Sequence, residues 1–92
     1  MIFEISYDDG TVKSFLKSIE YYNHISSELA LSFEADFWKT INLLKIDPYI
    51  YQERYRGVRI VHLYKFPFGI HFIIEEQTVR VYKILHHKQS YN

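Results

Sequence analysis

Residues 57–87 read GVRIVHLYKFPFGIHFIIEEQTVRVYKILHH, and this stretch decides the fold. β-Branched and aromatic residues dominate it, which is typical of strands in a half-buried sheet. The sequence FPFG at residues 66–69 interrupts it once, because proline fixes φ and the glycine that follows accommodates a bend. The polar run at residues 75–78 interrupts it again. The pattern therefore predicts three consecutive strands, over residues 58–65, 70–75 and 79–85.

Two helices are predicted in the first half of the chain. Apolar residues recur at three- and four-residue spacing over residues 11–25 and again over residues 27–45, as in amphipathic helices. The serine pair at residues 26–27 provides a break and a helix N-cap, and Asp47-Pro48 ends the second helix. A short strand over residues 2–7 precedes the helices. Residues 49–55 are predicted as a loop that leads into the three strands.

These elements predict a fold class. Two amphipathic helices joined this closely form an antiparallel hairpin, and each has an apolar face that a sheet must cover. The predicted fold is α+β in the order β-α-α-β-β-β, with the two-helix hairpin packed on one face of a mainly antiparallel twisted sheet. Residues 1–92 are expected to form a single domain, because a chain of 92 residues supports one core.

Charge is distributed unevenly, although the formal net charge is zero. Residues 1–53 carry four lysines and nine acidic residues. Residues 54–92 carry seven lysines and arginines, two acidic residues and four of the five histidines. This asymmetry predicts a basic working face on the strands and an acidic helical side. The alternative is that the charges are scattered over solvated surfaces without a common role.

The composition also excludes several kinds of site. The chain has no cysteine, so it has neither disulfides nor thiolate metal sites. Its apolar runs are too short to cross a membrane, and no charged-then-apolar leader opens it, so we expect an unprocessed cytoplasmic protein. No spacing of His, Asp and Glu requires a metal, and we expect no cofactor. His62 and His71 are interpreted as sheet-surface residues and not as metal ligands.

The order of these elements and residues resembles the RelE/ParE family of bacterial toxins from type II toxin–antitoxin pairs. The resemblance extends over nearly the whole chain and depends on the order and spacing of short sequences that are not specific alone. These are Tyr21-Tyr22, Ser27-Glu28-Leu29-Ala30 with Phe33, Leu43-Leu44 with Asp47-Pro48, Gly57-Val58-Arg59, Phe66-Pro67-Phe68-Gly69-Ile70, and residues 79–87 ending in Ile84-Leu85-His86-His87. The resemblance implies a toxin held inactive by a cognate antitoxin, with which it forms a hetero-oligomer.

Members of this family differ in their targets. Some cut messenger RNA on the ribosome without a metal, which requires a proton acceptor, a proton donor and cations around the phosphate. Others inhibit DNA gyrase. For a nuclease, the resemblance implies catalytic roles for Arg59, His86 and His87. The remaining candidates, for binding a nucleic acid or another target, are Arg80, Lys88 and Tyr91.

Most of these residues also have a structural interpretation. Arg59 fits a contact with an acid of the helical layer equally well. His86 and His87 are adjacent, so in a strand their side chains point to opposite faces and one of them packs under the helices. By the same rule, Arg80 and Lys83 are not expected to line one face.

The tail of the chain favours gyrase as the target. Many relatives follow the terminal histidine with two arginines and an aromatic residue, whereas residues 88–92 offer one lysine and Tyr91. A net charge of zero is also low for a protein that binds among ribosomal RNA phosphates. We therefore predict inhibition of gyrase, with a ribosome-dependent endoribonuclease as the first alternative. The second alternative is a degenerate member that only binds its antitoxin, through tyrosines such as Tyr49 and Tyr64.

Overall fold

The computed structural model of the protein describes residues 2–88. In chain order the elements are β1 (Glu4–Tyr7), α1 (Asp9–Ile25), α2 (Ser27–Ile46), a 3-10 turn (Pro48–Ile50), β2 (Glu53–Tyr55), β3 (Val58–His62), β4 (Phe68–Glu75) and β5 (Thr78–His86). The predicted α+β class is confirmed. The bounds of α1 and α2 differ from the predicted helices by no more than two residues at either end.

The loop predicted over residues 49–55 is replaced by a 3-10 turn and a strand. β2 pairs with β3 through Tyr55 opposite Val58, so Arg56 and Gly57 form a two-residue hairpin turn. Both have positive φ, 44° and 79°, as the type I′ turn that suits twisted strands requires. A strand of three residues is too short to give a period-two pattern, which is why the sequence did not indicate it.

The sheet has the strand order β1-β5-β4-β3-β2. β1 runs parallel to β5, and the other three pairings are antiparallel. Because directly paired residues lie on the same face, the register separates two faces. Val61, Ile70 and Ile84 are paired across β3, β4 and β5 and point towards the helices. The neighbouring residues in the same three strands are also paired with one another and lie on the opposite face, which we call the open face: Ile60, His71 and Lys83.

The core lies between the sheet and the helix hairpin. α2 contributes most of the buried helical surface, and α1 packs on it antiparallel, with Phe15 4.4 Å from Phe37 between ring centroids. The fully buried side chains include Phe33, Phe37, Ile41 and Leu44 from α2 and Ile70, Phe72, Val79 and Val81 from the sheet. No helix among residues 2–88 is long and apolar enough to cross a membrane.

Candidate functional site

Two histidines meet on the open face at the end of the sheet. Nδ1 of His62, the last residue of β3, lies 2.9 Å from Nε2 of His87, and their rings stand edge to face. Gly69 lies opposite His62 on β4, where an added Cβ would come within 3.4 Å of the His62 Nδ1 atom. Because Gly69 has no side chain, the His62 ring can lie over it. The backbone N–H of His87 donates to the Pro67 carbonyl at 2.8 Å, which holds the backbone that carries the other ring.

His62 lies in a positively charged environment. Burial, the neighbouring His87 and the Arg54 guanidinium lower its pKa from the usual value. Next to it, burial lowers the pKa of His71 to about 4, with smaller contributions from Lys83 and His62. The sequence identified His62 as a surface residue correctly, but not its contact with His87, because residues 25 positions apart give no local signal.

His71 differs from the sequence-based interpretation. It lies on the sheet, as predicted, but its exposed fraction is only 1% and it is not a surface residue. The Tyr55 ring packs against it edge to face, and the Tyr55 hydroxyl lies 2.9 Å from His71 Nδ1. Tyr55 belongs to β2, the strand that the sequence did not predict, and this explains the difference.

Arg59 points away from the histidine pair. It is paired with Phe72 of the core, so its side chain lies on the helix-covered face. Its Nη1 donates to the Tyr51 carbonyl at 2.7 Å, and its guanidinium lies 5.3 Å from the centre of the Tyr49 ring. Arg59 therefore holds the connection after α2 against β3. Its partner is a backbone carbonyl and an aromatic ring, not the helical acid that was considered.

Arg80 and Lys83 share the open face, so the prediction that they cannot is wrong. His71 pairs with Lys83 and Phe72 with Val81, which leaves Tyr82 without a partner across β4. A β-bulge of this kind shifts the alternation of side chains by one position.

Arg80 is neutralised by an acid at the start of α1. Its Nε and Nη2 donate to the two carboxylate oxygens of Asp8, both at 2.9 Å, and Glu75 lies 3.9 Å away. The hydrogen bond from Arg80 lowers the pKa of Asp8. A bidentate pair of this kind fixes the start of α1 to the sheet, and it leaves Arg80 with little charge to offer a ligand.

His86 and Lys88 lie on the helix side of β5. The His86 ring packs 5.1 Å from that of Phe68, and the Lys88 backbone N–H donates to His86 Nδ1 at 3.1 Å. Both residues line an open groove of about 520 Å³ beside α1, together with Lys17 and Tyr21. His86 and His87 thus face opposite sides of the sheet, as predicted. Tyr91 lies outside the described residues.

A second groove follows the outer edge of the sheet. β2 pairs only with Val58 and Arg59, so within residues 2–88 no strand covers β3 from residue 60 onwards on that side. The space beside this edge measures about 540 Å³ and lies between α2, the 48–52 connection and β3. Its lining includes the apolar and basic side chains Leu43, Ile50, Lys39, Arg54 and His62. The one acid among the described residues that line it, Asp36, has its carboxylate bound by the backbone N–H groups of residues 64–66. We call this space the edge groove.

Within residues 2–88, no group of three or more His, Asp or Glu side chains is arranged to hold a metal ion. The paired nitrogens of His62 and His87 are hydrogen-bonded to each other. An imidazole can both accept and donate a proton, so the chemistry that this pair offers is proton exchange and hydrogen bonding to an anion.

Comparisons with known proteins agree with this architecture. The sequence model of the family described as "ParE toxin of type II toxin-antitoxin system, parDE" matches residues 5–91. Among solved structures, a chain of the chromosomal ParDE TA system from P. aeruginosa superposes with a TM-score of 0.80 at 16% identity, over 92% of this chain and 96% of that chain. At this identity the similarity concerns the fold alone. The comparison with curated proteins gave no match.

Proposed function

Since the chain belongs to the ParE toxin family of type II toxin–antitoxin systems, we propose that it arrests growth in the cytoplasm by inhibiting DNA gyrase. It is the toxin of such a pair, and an antitoxin is its partner. The choice of gyrase over messenger RNA depends on which candidate residues can act together.

The separation of the nuclease candidates carries this proposal. Cleavage of RNA needs a proton acceptor, a proton donor and a phosphate-binding cation around one phosphate. Arg59 lies on the helix-covered face and is bound to the Tyr51 carbonyl. His86 packs on Phe68 on that side, while His87 contacts His62 on the open face. Arg59 and His87 are thus on opposite sides of the sheet, which supports a mode of action without RNA cleavage.

The edge groove is the proposed antitoxin-binding surface. The uncovered edge of β3 offers backbone hydrogen-bonding groups that an extended segment can pair with, as in strand addition. Leu43 and Ile50 are 48% and 69% exposed and offer apolar contacts beside that edge. Lys39 and Arg54 add positive charge, so the segment that fits is extended, partly apolar and acidic.

The target is tested by two assays on the same protein. Toxin released from the co-expressed complex is added to a gyrase supercoiling reaction and, separately, to ribosomes translating a defined messenger RNA. We expect supercoiling to be inhibited and the messenger to remain intact. Messenger cut in the ribosomal A site by the unmutated chain would refute the proposal.

The remaining candidates for target binding are Lys88 and Tyr91, because Arg80 is paired with Asp8. We expect Lys88→Ala and Tyr91→Ala to weaken inhibition of gyrase while the variants still bind the antitoxin. Lys13→Ala, a change at an exposed lysine of α1, is the matched control. If both variants inhibit gyrase as well as the control does, the target contacts another surface.

A further inference from the structure

Positive groups accumulate at one end of the open face. Arg54 faces His62, while Lys83 and His62 face His71. Among residues 2–88, no carboxylate pairs with Arg54 or Lys83, in contrast to Arg80 at the other end of the same face, which is bound by Asp8. This end of the sheet therefore carries positive charge that the described part of the chain does not neutralise.

The contact between His62 and His87 places a limit on their protonation. Two imidazole nitrogens 2.9 Å apart share one hydrogen bond, in which one ring donates and the other accepts. The accepting nitrogen must be unprotonated, so the pair carries at most one positive charge while the contact lasts. A second proton would turn both nitrogens into donors that repel each other. An oxyanion placed between the rings would accept from both and remove that repulsion.

We propose that the His62–His87 pair is a proton-coupled binding site for a carboxylate of the antitoxin segment that occupies the edge groove. The inference rests on the proposed function, since it concerns the same antitoxin. His62 belongs to both surfaces, because it lines the edge groove and also contacts His87. An acidic side chain of a segment lying along β3 thus reaches the pair directly.

A carboxylate fits this site better than a nucleic acid does. Binding of a polynucleotide depends on several phosphates met along a continuous basic track. Here Glu4 and Glu75 both pair with Thr78 at the other end of the open face, so the positive region is short. One or two carboxylates are enough to neutralise it.

The proposal fixes the direction of the pH dependence. In the free toxin, burial, His87 and Arg54 all lower the pKa of His62, so the pair resists a second proton. A bound carboxylate offsets that charge and raises the pKa of His62, so binding is accompanied by proton uptake. Affinity must therefore rise as the pH falls from about 8 to about 6, by up to about tenfold for each proton and each unit of pKa shift. His71, with a pKa of about 4, remains neutral over this range.

The test compares the antitoxin affinity of the toxin at pH 7.8 and 5.8 by calorimetry. We expect unmutated toxin to bind about threefold to tenfold more tightly at the lower pH. His62→Gln and His87→Gln should bind with little difference between the two pH values. His24→Gln, a change on the exposed side of α1, should behave as the unmutated protein does. The same pH response in all four proteins would overturn the inference, whereas the absence of any complex at either pH would overturn the proposed function instead.

A second measurement does not need the antitoxin or the histidine variants. Acetate and inorganic phosphate are titrated separately into the toxin, and the imidazole resonances of His62 and His87 are followed by NMR. We expect acetate to move the resonances of both rings and to raise the pKa of His62, and the double variant Arg54→Met/Lys83→Met to reduce that change in pKa. A response to phosphate but none to acetate would refute the carboxylate assignment, and a response to neither would refute the site.

Discussion

At the scale of single residues, Asp36 is a buried acid whose role the helical periodicity of α2 did not identify. This acid lies inside α2 and is 6% exposed. Its carboxylate accepts backbone N–H groups of Tyr64, Lys65 and Phe66 at 3.2, 2.7 and 3.1 Å. The predicted strand 58–65 ends early for this reason, since residues 64–66 bond to Asp36 and not to a neighbouring strand. The signal was present in the sequence, because position 36 falls within the apolar stripe of α2, three residues after Phe33.

Removing this carboxylate should destabilise the fold. Asp36→Ala leaves three N–H groups without their acceptor, of which that of Phe66 is buried. Each buried unsatisfied donor costs about 1–3 kcal/mol, so we expect the free energy of unfolding to fall by about 3 kcal/mol in urea melts. Glu34→Ala, in the same helix, serves as the control and should change stability by less than about 1 kcal/mol. Equal stability of the two variants would contradict the role of Asp36.

The two phenylalanines beside Pro67 are both buried, at 9% and 7% exposure. Phe66 and Phe68 each pack against Tyr22 and Phe33. Phe66→Ala and Phe68→Ala should each lower the free energy of unfolding by about 3 kcal/mol or more, because they open a cavity in the core. Tyr64→Ala, at an 86% exposed position of the same turn, should have little effect. Urea melts in which all three variants coincide would refute this packing.

At the scale of elements, the alternation of side chains along a strand predicts which face of the sheet each one lies on only where the strand pairing has no bulge. It placed His86 and His87 on opposite sides correctly. It failed for Arg80 and Lys83, because the bulge at Tyr82 shifts the alternation between them. A bulge depends on how two strands pair and leaves no fixed signature in one of them. Paired contacts such as that of Arg80 with Asp8, 72 positions apart, were beyond a sequence argument for the same reason.

The Asp8–Arg80 pair makes the attachment of α1 sensitive to acid. The pKa of Asp8 is lowered in the folded protein, chiefly by the hydrogen bond from Arg80. In the unfolded chain the pKa of an aspartate is about 4. Above that pH the pair contributes its full stabilisation, which is lost as the pH falls through the lower pKa that Asp8 has in the folded protein. We therefore expect Asp8→Asn to be less stable than the unmutated protein at pH 6, and the difference to shrink towards pH 3. Chemical melts across that range measure it, with Glu20→Gln as control. A constant difference at every pH would exclude the linkage.

At the scale of the whole molecule, the sequence predicted the fold better than the site. The class and both helices followed from helical periodicity, and the strands other than β2 followed from their composition and the turn residues between them. The basic half of the chain was recognised, but its charges do not act as one surface. Arg59 turns to the helix side and Arg80 is neutralised, so the unpaired charge is concentrated near His62. Such a division depends on pairing between distant residues.

The position of the edge groove leads to a prediction about the complex of the toxin with its antitoxin. Leu43 and Ile50 lie in different elements and both line the groove. If an antitoxin segment covers them, a charge at either position is buried against its apolar side chains. Leu43→Glu and Ile50→Glu should then weaken antitoxin binding by about 2 kcal/mol, or about thirtyfold, while inhibition of the target persists. Such variants would remain toxic in cells that express the antitoxin.

Leu31→Glu provides the matched control, because Leu31 is a 65% exposed leucine of α2 that is not among the residues lining the groove. It adds the same charge as the other two changes, in the same helix as Leu43→Glu but outside the groove, so it should retain both antitoxin binding and rescue of growth. The comparison separates loss of an interface from loss of the fold, since all three changes replace an exposed apolar residue. If Leu43→Glu and Ile50→Glu are rescued as fully as Leu31→Glu, the antitoxin binds elsewhere. The uncovered edge of β3 would then need another explanation.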